Sequence, residues 1–193
     1  MKKIFSILTL SIIVGLNAQV VIGGATGSAG SNTTSVLLDF VTGQNKGIIV
    51  PYVRVMPVAG NARTEGTILL DATDPTKARM KFYNGNTLPL TNGWVDLSGQ
   101  DANLTLPTNY MASQPTILQA PESATSKAII GAQSSSADGV LVLESSNKAM
   151  VLPIVADVQN ILSPSPGMMV YVNKTGAKRL AVFNGSKWSF WAP

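Results

Sequence analysis

Apolar residues in this chain come in short runs, not at helical spacing. Val36-Leu37-Leu38, Ile48-Ile49-Val50, Ile68-Leu69-Leu70 and Met150-Val151-Leu152 are each bounded by Gly, Asn, Pro or Ser/Thr clusters, the punctuation of strands. Beyond the first eighteen residues nothing keeps an apolar period of ~3.6, so helices should be few. Residues 36–40 and 48–53 flank the Gly- and Asn-containing segment 43–47, which predicts a hairpin because both residue types tolerate positive φ. Residues 71–76, with Asp74-Pro75, read as a turn after a third strand. Residues 78–83 alternate Met80 and Phe82 with Arg79, Lys81 and Tyr83, a strand burying one face. Asn84-Gly85 then turns into a last strand around Trp94.

The same order of features returns roughly a hundred residues later. Val36-Leu37-Leu38-Asp39 answers to Val140-Leu141-Val142-Leu143-Glu144, and Asn45-Lys46-Gly47-Ile48-Ile49-Val50-Pro51 to Asn147-Lys148-Ala149-Met150-Val151-Leu152-Pro153. Gly66-Thr67-Ile68-Leu69-Leu70 matches Gly167-Met168-Met169-Val170-Tyr171, Phe82-Tyr83-Asn84-Gly85 matches Val182-Phe183-Asn184-Gly185, and Trp94 matches Trp188. The lead-ins Val21-Ile22-Gly23 and Ile129-Ile130-Gly131 echo each other as well. The largest insertion, residues 86–93, falls in a turn, as it should if strands are the shared element. The predicted fold class is therefore all-β: two short-strand modules of similar topology with few helices. The first module with its lead-in spans residues 19–97 and the second residues 128–193. The Pro/Ser/Thr-rich segment 98–127, with Pro107, Pro115 and Pro121, reads as a connector.

Val36-Leu37-Leu38, Ile48-Ile49-Val50 and Met150-Val151-Leu152 are apolar at every position, so side chains on both faces need cover. A module of ~60 residues buries only about 60% of its unfolded surface, and the chain has no cysteine to staple it. Cover must come from the other module or from other chains. We expect self-association, with a fibre-like homotrimer as the preferred form.

Composition narrows the chemistry. Cysteine and histidine are both absent, which removes thiolate nucleophiles, disulfides, Cys/His zinc sites and every mechanism built on a histidine base. The formal charge of +4 includes Lys2 and Lys3, and the other basic residues are scattered, so there is no nucleic-acid footprint. Met1-Lys2-Lys3, an apolar run through Leu16 and then Asn17-Ala18-Gln19 have the three-part form of a secretory signal. Residues 1–18 should be removed after Ala18. As a helix the apolar run would span roughly 20 Å, short of the ~30 Å hydrocarbon core, so no membrane span is expected in the mature chain. The expected location is extracellular or at the cell surface, with the periplasm as the alternative.

The order Asn-Lys-Gly, three apolar residues, Pro, then a Gly-led apolar strand, then aromatic-Asn-Gly and Trp resembles a repeat common in secreted Bacteroidetes proteins. There it often reads NKGLLLPRV…GLLVYN…YYYNGTAW after a signal ending in Ala-Gln. The resemblance covers most of the mature chain twice and implies a cell-surface fibre, stalk or adhesion role. The Arg usual after Pro is Tyr52 in the first copy and Ile154 in the second. No chaperone-type domain is present through Pro193, so tail-fibre self-processing is not carried over.

Candidate site residues are few. Trp94 and Trp188 follow Asn-Gly turns, so with Asn84 and Asn184 they form a candidate ligand-binding set: indole rings stack on sugars and amides bond hydroxyls. The competing reading is that each Trp seals the end of a small β core. Asp71 with Asp74, and Asp96 with Asp101, are the pairs a hydrolase would need or a Ca²⁺ site would use, against a plain turn role. The reading is an exported structural or adhesive protein acting by self-association or protein contact, not an enzyme, with no cofactor and no metal site. A carbohydrate-binding module that meets a surface glycan is the alternative, and a small hydrolase with an Asp/Glu pair is third.

Overall fold

The computed structural model describes residues 19–30, 34–58, 63–86, 92–114, 116 and 126–191. The expected signal at residues 1–18, most of the insertion 86–93 and much of the connector, residue 115 and residues 117–125, lie outside the described residues.

The fold is all-β, with two single-turn 3-10 segments, Tyr110–Ser113 and Val158–Asn160, as its helical content among the described residues. The strands repeat seven for seven. The first repeat carries β1 (Val20–Ile22), β2 (Val36–Phe40), β3 (Ile48–Ile49), β4 (Tyr52–Val53), β5 (Ile68–Asp71), β6 (Arg79–Tyr83) and β7 (Trp94–Asp96). The second carries β8 (Ala128–Ile130), β9 (Leu141–Leu143), β10 (Ala149–Met150), β11 (Ile154–Val155), β12 (Met168–Val172), β13 (Arg179–Phe183) and β14 (Trp188–Trp191). Pairing is copied with them. β1 lies parallel to β2 as β8 does to β9, and β4 lies parallel to β5 as β11 does to β12. β5-β6-β7 and β12-β13-β14 are the same antiparallel meander.

The predicted hairpin between residues 36–40 and 48–53 does not form. Proline at position 51 has no N–H to give a ladder, and the apolar run there divides into β3 and β4. β3 pairs antiparallel with β12 of the second repeat, while β10 of the second repeat adds parallel to β2. Each repeat therefore lends its third strand to the other, and local turn chemistry is overridden by pairing across the duplication.

The exchange produces a shared core. Val50, Leu70, Ala72, Ala78 and Met80 of the first repeat pack with Met169 and Val182 of the second. Leu97, Ala102, Leu104 and Met111 join them, so the segment read from sequence as a connector sends Ala102, Leu104 and Met111 into the core while much of its remainder is exposed. Ala102 bridges to Ala78, the Leu104 N–H donates to Pro75 O at 2.7 Å, and Leu104 is fully buried. A second cluster of Val155, Ile161, Met168, Val170, Val172, Ala181 and Phe183 lies on the other face of β12-β13.

Candidate functional site

The molecule's most extensive built feature is the seam between the repeats. Two strand exchanges form its backbone: Val50 N–H donates to Gly167 O at 3.1 Å beside the β3·β12 pair, and Ala149 and Val151 N–H donate to Ser35 O and Leu38 O at 2.8 Å beside the β10·β2 pair. Side chains lock it. Tyr52 Oη donates to Pro166 O at 2.6 Å, Asn184 Nδ2 to Gln100 O at 2.8 Å, and Trp191 Nε1 to Leu97 O at 2.8 Å. Burial pushes the Tyr52 phenol up to about 12, so it stays a neutral donor through the physiological range. Gly47 is required at this contact: a Cβ there would stand 2.4 Å from Met168 Cγ and 2.7 Å from Met169 O.

Equivalent edges of the two repeats are not equally covered. Gly167, Met168 and Met169, under β3, are buried, with Met169 only 4% exposed. Their equivalents are Gly66, which is exposed, and Thr67 and Ile68, which are half-buried. On the edge away from β6 no strand among the described residues pairs with that part of β5, since β4 takes only Leu70 and Asp71. Likewise β2 has a neighbour on each side and Val36, Leu37 and Leu38 are buried, whereas among the described residues β9 has β8 alone and Leu141 is 47% exposed. Ile49 of β3 is 50% exposed. These apolar edges are where the doubly apolar runs remain uncovered in a single chain.

The residues singled out from sequence are placed differently. Trp94 is buried and tilts against Tyr83 at 5.2 Å between ring centroids, and Trp188 is half-buried against Phe183 at 5.3 Å. Each pair closes the end of its own meander, and Trp94 has no open face for a sugar. Asn184 is fully buried, its Oδ1 accepting from Ser186 and Lys187 N–H at 3.0 Å, while Asn84 is exposed with its Oδ1 accepting from Asn86 N–H. The aromatic faces that do reach solvent near polar groups are Phe190 and Trp191, beside a shallow recess of Asp96, Leu97, Ser98, Gly99 and Ser189.

The acids are engaged. Asp96 and Asp101 converge, but on Arg79, which donates to both; the Asp101 and then the Asp96 hydrogen bonds raise the arginine further. Asp71 takes Lys81 Nζ at 2.7 Å and caps Thr73; burial opposes its charge, but these bonds outweigh burial and its carboxyl lies below the usual value. Asp74 is a turn acid bonded to Thr76. No group of three or more His/Cys/Asp/Glu side chains able to hold a metal occurs among the described residues.

One acid escaped sequence reasoning. Asp39, inside the apolar β2, is fully buried; it accepts from Ser28 N–H and Oγ, Ala29 N–H and Phe40 N–H at 2.8 to 3.2 Å. It pins the loop joining the parallel strands β1 and β2. Burial is the largest influence and raises its pKa, but the four donors together lower it. A charged residue on a predicted core strand was the available signal.

Residues 129–192, the second repeat, match the family model of a phage tail like trimerisation region. Neither a curated protein nor a solved structure matches the chain. The match supports a structural, oligomerising role for the part of the chain it covers. Among the described residues no helix is long and apolar enough to cross a membrane.

Proposed function

We propose that this chain is an exported structural protein of the cell surface or its surroundings, non-catalytic, that assembles as a homotrimer and serves as a fibre-like or adhesive element. The observation that carries the reading is the match of residues 129–192 to a phage tail like trimerisation region. The uncovered edges at β9, β3 and β5 agree with it, since exposed strand edges invite pairing with further chains. A non-catalytic role is favoured because the candidate pairs Asp71/Asp74 and Asp96/Asp101 are engaged by Lys81, Thr73, Thr76 and Arg79 and do not stand free as acid and base. The signal-like pattern of residues 1–18 and the resemblance to secreted Bacteroidetes repeats favour export.

Sedimentation equilibrium of the purified protein tests the assembly. Three chains per particle are expected at micromolar concentration, and a monomer there overturns the reading. Fractionation of cells expressing the full chain tests export: processed protein outside the cytoplasm is expected, and an uncleaved cytoplasmic chain contradicts it.

A further inference from the structure

The duplication lets the seam inside one chain predict the contact between chains. Among the described residues each third strand has one edge paired and one edge without a strand: β3 pairs with the β5 equivalent, β12, but with nothing like β2, while β10 pairs with β2 but with nothing like β5. The vacant receiving edges are the missing two, on β9 and at residues 66–68 of β5. What one chain lacks, a second copy of itself presents.

Backbone parity agrees. Ala149 and Val151 turn their N–H groups toward β2, which leaves the peptide groups of Met150 on the opposite edge. Ile48, the equivalent of Met150, uses that same edge on Met169. In turn, Gly47 and Ile49 of β3 point their peptide groups away from β12, toward the side where β10 meets β2 in the existing exchange.

We propose that the intrachain seam recurs between chains: β3 of one chain adds parallel to β9 of a second copy, and β10 of that copy adds antiparallel to residues 66–68 of the first. This deepens the proposed trimer and rests on it. By equivalence with the β3·β12 register, Met150 lies opposite Ile68 and Val151 opposite Thr67. Ala149 stands where Gly47 does and its methyl does not fit that close contact, so intermolecular pairing begins at Met150. The contact is heterologous, and a heterologous contact that closes gives a ring, here of three chains with six repeats.

The absence of native cysteine makes cross-linking unambiguous. Position 168 opposite 49 is a non-hydrogen-bonded pair in the existing seam, and such pairs have Cα atoms ~4.5 Å apart, within disulfide reach. The double variant Thr67→Cys/Val151→Cys, oxidised and run on a non-reducing gel, should give covalent trimers. The control Ile49→Cys/Met168→Cys should close within one chain and run as a monomer. Leu141→Lys, at an exposed position of β9, should lower the trimer fraction at least tenfold at micromolar protein with the melting temperature of the dissociated chain unchanged. If the wild-type chain is trimeric but the first variant gives no interchain link and Leu141→Lys leaves assembly intact, this seam is wrong and the trimer stands on another surface. If the wild-type chain is monomeric, the trimer reading fails and this inference fails with it.

Discussion

The two meanders, β5-β6-β7 and β12-β13-β14, share a backbone plan and differ in what one face holds. In the first, Asp71 and Lys81 form an ion pair; at the same steps of the second stand Val172 and Ala181, both buried. Arg79 grips Asp96 and Asp101, whereas its counterpart Arg179 lies over the Phe190 ring at 4.4 Å. The loop before β12 lays Ile161 across this face, while in the loop before β5 Val55 and Val58 remain exposed. One repeat is therefore buried on a single face and the other on both. The contrast coincides with the reach of the trimerisation match, which covers only the doubly buried repeat. Duplication supplied two sheets, and side-chain divergence made one a solvent-facing partner and the other a core.

Exchanging the two solutions breaks the comparison most severely. Val172→Asp would put a carboxylate into a buried apolar cluster, where Arg179 opposite it is already stacked on Phe190, and a loss of about 3 kcal/mol is expected in chemical denaturation. The reverse change, Asp71→Val with Lys81→Ala, removes a partly exposed pair and should alter stability by less than ~1 kcal/mol, with a greater tendency to aggregate. Equal losses from both exchanges would show that the two faces are not differently buried.

The Asn-Gly turns sharpen it next. Asn184→Ala strips three hydrogen bonds from a buried turn and should cost about 2 to 3 kcal/mol, whereas Asn84→Ala, at an exposed turn, should cost a few tenths, roughly 0.5 or less. Thermal melts of the two variants read this directly. Gly47→Ala forces a methyl into the seam and should cost about 1 to 3 kcal/mol, while Ala149→Gly, at the matching exposed position, should cost ~1 kcal/mol or less.

A smaller effect concerns acid. The folded pKa of Asp39 lies below its unfolded value, so its contribution is fully present above the ordinary carboxylate range and is lost as pH falls through the lowered folded value. Stability followed by denaturant midpoint should fall below about pH 4, and Asp39→Asn should flatten that part of the profile. An unchanged slope would mean the carboxylate does not hold the β1-β2 loop.

The sequence made the duplication, the all-β class and the positions of most strands legible, because apolar runs and Gly/Asn punctuation are local signals. Even the short lead-ins, Val21-Ile22-Gly23 and Ile129-Ile130-Gly131, mark real strands. Which strand pairs with which was not legible. A Gly- and Asn-rich segment between two apolar runs is the local signature of a hairpin, yet β2 and β3 each found partners in the other repeat, and only tertiary context records that choice. The segment 98–127 was read by its prolines, while Leu104 and Met111, isolated in polar surroundings, gave no periodic sign of their burial. For the candidate site, the all-apolar run Ile48-Ile49-Val50 signals a need for cover on both faces. Val50 is covered within the chain and Ile49 is not. Trp94 with Trp188 and Asn84 with Asn184 stand out as repeated features, but repetition marks packing as readily as binding.

The most direct measurement is amide hydrogen exchange followed through a dilution series. Met169 lies under β3 in every chain and should be protected at all concentrations. Ile68, and Leu141 and Leu143 whose N–H groups face away from β8, should be protected only where chains associate, losing protection as the trimer dissociates. Exchange at Ile68, Leu141 and Leu143 that is fast and independent of concentration would contradict the account.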